Sequence, residues 1–272
     1  MRIGLALSGG AARGIAHIGV LKYLEERNVK PYCLAGTSAG SIVGAFYCSG
    51  MSVEEIKDIA LTMTWRNIFK PTLPRMGLIN SSQLLSIIQE HLGPVSFREL
   101  KIPLIVNAVD LLSGEQVIID KGPVADAVHA SCAIPGIFTP VKWNDQLLVD
   151  GGLLDNLPTA LIKDRWSIDY IIGVNVAAQR PLDQEPANIF EVLIQSFDII
   201  RRHRDLQSQE FADMLIEPNV ADVAFFDTSK ADQLLERGYQ TAQKVLEGVN
   251  FEKKAGVLAK WFGKHDKSKR KW

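Results

Sequence analysis

Twice in the first fifty residues a short apolar run ends in a glycine-bounded turn and restarts as a helix, and nothing else in the chain constrains its fold as tightly. Ile3 to Leu7 runs into Ser8-Gly9-Gly10-Ala11-Ala12-Arg13-Gly14, and Ile15, Ala16, Ile18, Val20, Leu21 and Leu24 follow at the spacing of an amphipathic helix. After a break from Asn28 to Pro31, Tyr32 to Ala35 runs into Gly36-Thr37-Ser38-Ala39-Gly40 and a further helix from Ser41 to Cys48. Strands joined through a helix cannot close as a hairpin. A βαβα order therefore predicts an α/β fold, with parallel neighbouring strands covered by helices.

The rest of the chain is consistent with that class. A helix is expected after the N-cap residue Ser52, with Glu54 and Glu55 in its first turn. Trp65 to Asn80, with Pro71 and Pro74, reads as an irregular connection, and a helix is expected from Ser82 to His91. Pro103 to Val109 and Gln116 to Ile119 are β-rich runs, with Gly114 suited to a turn between them. Strands over Gln146 to Val149 and Tyr170 to Val176 come next. A polar stretch from Gln179 to Pro186 leads to a long helix over Ala187 to Phe211, a strand over Met214 to Ile216 and a last helix over Ser229 to Leu246.

At 47% hydrophobic and 22% charged over 272 residues, the composition is that of a globular chain and not a disordered or fibrous one. Thirty Lys and Arg against 31 Asp and Glu give a net charge of −1, which argues against a general polyanion binder. That balance conceals two parts. Residues 253–272 hold eight basic side chains and one acid, a local charge of +7, so the preceding 252 residues carry −8. Cys33, Cys48 and Cys132 are odd in number and lie outside metal or redox spacings, which fits reduced thiols. The first apolar run is interrupted too early for a secretory leader, and no stretch approaches the roughly 18 to 20 apolar residues that span a bilayer. A cytoplasmic location is the expectation from these features.

The glycine turn after the first strand is compatible with three chemistries. A dinucleotide loop has Gly-x-Gly-x-x-Gly, but here Ala11 stands where the second glycine belongs. A phosphate-binding Walker loop needs a lysine after its last glycine, and Ile15 follows Gly14 instead. Backbone N–H groups at a helix start can also hold a transient oxyanion, and a plain tight turn without a ligand remains a further reading.

Gly36-Thr37-Ser38-Ala39-Gly40 matches the Gly-x-Ser-x-Gly elbow, in which a sharp strand-to-helix turn exposes a serine nucleophile. The alternative is a turn serine that caps the helix. None of His17, His91, His129, His203 and His265 occupies the short loop after a late strand where a triad histidine is expected. Leu147-Leu148-Val149-Asp150-Gly151-Gly152 instead ends a buried-strand pattern in a carboxylate. If that strand ran parallel to the first two, Asp150 would open on the same sheet edge as Gly9 and Ser38. An Asp-Gly hairpin turn is the alternative.

Gly9 to Gly14, Gly36 to Gly40, Asp150-Gly151-Gly152 and the run Ala130-Ser131-Cys132-Ala133-Ile134-Pro135-Gly136-Ile137-Phe138-Thr139-Pro140 together resemble the patatin-like phospholipase family. The arrangement is most similar to compact bacterial members related to the esterase domain of neuropathy target esterase. The resemblance implies a three-layer α/β/α sandwich and a serine-dependent lipid acyl hydrolase, acting through a Ser-Asp dyad and an acyl-enzyme, without metal or cofactor. Matched by position, Ser38 would be the nucleophile and Asp150 the proton acceptor. Gly9, Gly10, Ala11, Ala12, Arg13 and Gly14, with the Ala39 N–H, would form the oxyanion hole, and Gly36, Gly40, Gly151 and Gly152 would support the turns. Ala11 replaces a glycine of the family's loop and narrows its allowed φ. A phospholipid, lysophospholipid or other acyl ester would be the substrate. A general carboxylesterase, a thioesterase or a weakly active lipid-sensing module are the alternatives.

The implied organisation is a catalytic core over 1–178, a helical portion over 179–252 packed on it, and a basic amphipathic tail over 253–272. In the tail Val257, Leu258, Trp261 and Phe262 share one helical face among lysines, which suits an anionic membrane surface. A solubilising tail is the alternative, and nucleic-acid binding is disfavoured because no recognition fold accompanies the patch. Trp65 to Gly93 is a candidate lid. The sequence does not specify the oligomeric state.

Overall fold

The computed structural model describes residues 1–63, 76–177 and 185–251, with the side chains of 202–207 excepted. The basic tail, part of the candidate lid and the side chains of His203 and His265 therefore lie outside the described residues. Ten strands are described: β1 Ile3–Leu7, β2 Cys33–Gly36, β3 Gly77–Ile79, β4 Leu104–Asp110, β5 Gln116–Ile119, β6 Gly136–Phe138, β7 Val141–Trp143, β8 Gln146–Asp150, β9 Tyr170–Val174 and β10 Met214–Ile216. The helices are α1 Ile15–Glu26, α2 Ala39–Ser49, α3 Val53–Thr62, α4 Ser82–Leu92, α5 Val124–Ser131, α6 Thr159–Arg165, α7 Ile189–Gln209 and α8 Ala231–Leu246.

Eight strands form one sheet in the order β10-β9-β1-β2-β4-β8-β7, with β5 also on β4. From β10 to β4 every pairing is parallel, as the βαβα order predicts. Side-chain size divides the two faces. Leu5 and Leu7 of β1 join a large core with α1, α2, α5 and α8, whereas Ala6, Cys33, Ala35 and Ile105 meet Leu161 and Ile162 of α6. Small residues on the second face let α6 lie close; a Cβ on Gly4 would come within 2.5 Å of Ile162. Helices on both faces make the three-layer α/β/α sandwich.

The helix expected to be amphipathic after the first glycine turn is buried almost all round, because α8 covers its outer side. Gly19 and Gly238 set that crossing: a Cβ on Gly19 would run into the Leu235 carbonyl, and one on Gly238 into that of Ala16. Helix α3 begins with a full capping box, in which Ser52 and Glu55 bond each other's backbone N–H groups.

Two expectations are corrected. The segment read as irregular up to Asn80 contains β3, which pairs parallel with β6 to form a second small sheet. The strand ending in Asp150 runs antiparallel to β4, not parallel to β1 and β2. Strand β4 outruns β2, which pairs with it only over Leu104, Ile105 and Val106. Val106 pairs with β5 on one side and β2 on the other, while Ala108 pairs with β5 and β8, so β2 and β8 lie in line along the same edge of β4. Their carboxyl ends meet head to head. The Asp110 carboxylate holds the incoming strand there by accepting the Leu147 N–H at 3.1 Å.

Candidate active site

Strand β2 ends at Gly36 and α2 begins at Ala39, so the chain reverses within two residues. Ser38 takes the full strain of this turn at φ 50°, ψ −123°, a region that side chains rarely adopt. The flanking glycines are required by contact. A Cβ on Gly36 would lie 2.7 Å from the Gly40 carbonyl oxygen, and one on Gly40 would strike the Leu7 carbonyl. The Ser38 N–H donates to the Ser131 hydroxyl at 2.9 Å, and its own side chain makes no capping bond to the helix.

From the other side β8 delivers Asp150, 1% exposed, to the small cavity that Ser38 also lines, where the serine hydroxyl helps to favour its carboxylate. Its Oδ1 also accepts the Gly152 N–H at 2.8 Å. Gly151 packs flat on Asn107 of β4, where a Cβ would come within 2.6 Å of that side chain. Asn107 in turn ties the two turns together: Thr37 donates to its Oδ1 at 2.8 Å, and its Nδ2 donates to the Asp155 carbonyl at 2.8 Å. Burial pushes the Asp150 carboxyl up, against the Ser38 hydroxyl, the Gly152 N–H and the Arg201 charge, to about 6.

The glycine turn of Gly9 to Gly14 lies against both groups; a Cβ on Gly9 would be 3.1 Å from that of Ser38, and Gly14 abuts Ala39. Three of its N–H groups are already taken. Gly9 donates to the Asn156 carbonyl, Ala12 to that of Phe225 and Arg13 to that of Gly10. Among the described residues no acceptor takes the N–H of Gly10, Ala11 or Ala39. Ala11 sits at φ 47°, in the left-handed region that favours glycine. Arg13 is buried, with Nε on the Val223 carbonyl at 2.9 Å.

Ser38 stands in the wall between two cavities. One, about 140 Å³, is lined by apolar groups such as Ile42, Val43, Ala60, Met63, Leu84 and Phe138. The other is small and polar, and Asp150, Asn156, Asp198 and Arg201 contribute to it. Arg201 is 3% exposed and bonded to Asp198 at 3.1 Å and to the Ala177 carbonyl at 3.2 Å.

His17 serves the glycine turn from behind. Its Nε2 bonds the Ser8 carbonyl at 2.8 Å, and burial lowers its pKa to about 4, so it is a neutral donor at neutral pH. His129 bonds Ser81 at 2.8 Å, and neither of these residues nor His91 lines either cavity. All three cysteines are buried and free, and burial suppresses the ionisation of the Cys132 thiol, which lines the apolar cavity with Ser38. Sequence reasoning missed Asn107, Asn156 and Arg201. Only Asn107 carries a local signal, as a lone amide inside the apolar run Leu104 to Val109.

A three-layer α/β/α body with a serine elbow facing a buried aspartate at one sheet edge defines a class of α/β proteins. Residues 5–162 match the family described as patatin-like phospholipase, and the chain belongs to that family. It is 34% identical over 239 residues to an uncharacterised NTE family protein of Mycobacterium tuberculosis, covering 87% of this chain and 61% of that one. The chain thus spans about three-fifths of that relative's length. It is 29% identical to a protein named lysophospholipase NTE1 of Candida albicans, over 76% of this chain and 15% of the relative. Among solved structures, VipD from Legionella pneumophila shares the fold with a TM-score of 0.56 at 14% identity, over 90% of this chain and 67% of VipD. The type III effector protein ExoU does so with a TM-score of 0.50 at 16% identity, over 90% of this chain and 53% of ExoU.

Proposed function

We propose that this chain is a serine-dependent lipid acyl hydrolase that cleaves carboxylic esters through Ser38 and Asp150. The reading rests above all on one observation, a strained elbow serine beside a buried carboxylate at the mouth of an apolar cavity. The acyl chain of a phospholipid or lysophospholipid occupies the apolar cavity lined by Ile42, Val43, Leu84 and Phe138. Ser38 Oγ attacks the carbonyl carbon while Asp150 takes its proton. The carbonyl oxygen, now negative, accepts hydrogen bonds from Gly10, Ala11 and Ala39 at the positive end of α2. Asp150 then gives its proton to the departing alcohol, and water releases the acid from the acyl-enzyme in a second round. The lysophospholipase name of one relative supports a lipid ester as substrate. A peripheral attachment to anionic membrane through residues 253–272 belongs to the same proposal, and liposome flotation with and without those residues tests it; equal binding contradicts it. Among the described residues no helix is long and apolar enough to cross a membrane.

Mass-spectrometric product analysis of a mixed lipid extract tests the reading as a whole. Wild type should release free fatty acid and deacylated lipid, and Ser38→Ala should release neither. Equal release by the two proteins would contradict it.

A further inference from the structure

The polar cavity beside Ser38 and Asp150 has a volume of about 10 Å³, the space of a single water molecule. Asn156 lines it and is 2% exposed, yet its Nδ2 donates to no acceptor among the described residues. A buried amide left without a partner is costly, and such groups are rare in native interiors. The main chain of the same residue is in use, since its carbonyl accepts the Gly9 N–H at 3.2 Å. Its side chain is wedged between the two glycine turns. A Cβ on Gly9 would come within 2.6 Å of Asn156 Oδ1, and one on Gly152 within 3.0 Å. The carboxamide is therefore fixed beside Ser38 and Asp150 with an unused donor.

We propose that the Asn156 carboxamide binds the water that deacylates the enzyme, an inference that rests on the Ser38 and Asp150 reading above. A water in the polar cavity accepts from Nδ2–H and donates one proton to Asp150, which leaves a lone pair for the acyl carbon on Ser38. As the water oxygen bonds to that carbon, Asp150 takes the proton. The tetrahedral intermediate then collapses, the bond to Ser38 Oγ breaks, Asp150 returns the proton to Oγ, and the free carboxylic acid leaves. The acyl chain lies on the opposite side of Ser38, so water reaches the carbonyl without crossing it. Asn156 acts in this scheme on the second half-reaction alone.

Asn156→Leu removes the donor at similar size. With excess enzyme and p-nitrophenyl butyrate, it should release nitrophenol within roughly threefold of the wild-type rate, while steady-state turnover falls on the order of 100-fold. A butyryl adduct should accumulate on Ser38 in the intact-protein mass spectrum, and hydroxylamine, which attacks without needing this water site, should restore turnover. Asn156→Ala, which leaves space where Leu fills it, should give the same pattern and stands in if Asn156→Leu does not fold. Equal slowing of both half-reactions, or of neither, would overturn the assignment of Asn156. Failure of wild-type Ser38 to acylate at all would instead overturn the underlying serine reading.

Discussion

Buried beneath Ser38, Asp150 holds its proton up to about pH 6, because burial disfavours the carboxylate more than its hydrogen bonds and Arg201 favour it. As the proposed base it must be ionised. The kcat/KM for a nitrophenyl ester should therefore rise through an apparent pKa near 6 and level off above it, and a profile flat down to pH 4.5 would contradict that role. The same shift bears on folding. An unfolded aspartate titrates near 3.9, so between about pH 4 and 6 the folded chain binds the extra proton. Stability from this group is fullest at the acid end, falls as pH rises through that window and is level above it. Asp150→Asn escapes the fall. Its stability relative to wild type should improve by about 2 kcal/mol between pH 4 and pH 7 while hydrolysis is lost. Urea unfolding at the two pH values checks this, and a difference that does not change with pH would contradict it. His17, held down to about 4, runs the other way, favouring the fold at higher pH and losing that contribution as pH falls from about 6.5 to 4. It is common to both proteins and cancels from the comparison.

Among the elements, the tightest crossing is that of α1 and α8, where two glycines let backbones meet. Alanine in place of a helical glycine ordinarily stabilises by up to about 1 kcal/mol. Gly19→Ala should reverse that sign, losing about 2 to 3 kcal/mol by overpacking, since the new methyl meets a carbonyl that belongs to the other helix. A urea midpoint unchanged or raised would show that the crossing yields. Elements of this kind also mark what the sequence could and could not convey. The strands β1 and β2, the Ser52 cap and the elbow at Gly36 to Gly40 were legible because their signals are local. The direction of β8 was not: it depends on β4 outrunning β2, which no residue near Asp150 reports. Strand β3 has three residues and a partner, β6, far along the chain, so its pattern alone reads as loop. Arg201 and Asn156 reach the site through tertiary packing, and their neighbours in sequence give no hint of it.

For the whole molecule, the layers converge so that Ser38 separates an apolar cavity from a polar one. On the proposed reading the acyl chain takes the apolar side and a single water the other. Filling the apolar side should shorten the preferred chain. Ala60→Phe should lower kcat/KM for nitrophenyl decanoate relative to butyrate by about 10-fold or more, as the loss of a few methylene contacts allows; an unchanged ratio would place the acyl chain elsewhere. The central claim is that Ser38 is the nucleophile held by Asp150. Intact-protein and peptide mass spectrometry after treatment with a fluorophosphonate tests it most directly. A single adduct is expected on Ser38, formed in wild type, absent in Ser38→Ala and strongly slowed in Asp150→Asn. An adduct on Ser41 or Ser131, or undiminished labelling of Ser38→Ala, would contradict it.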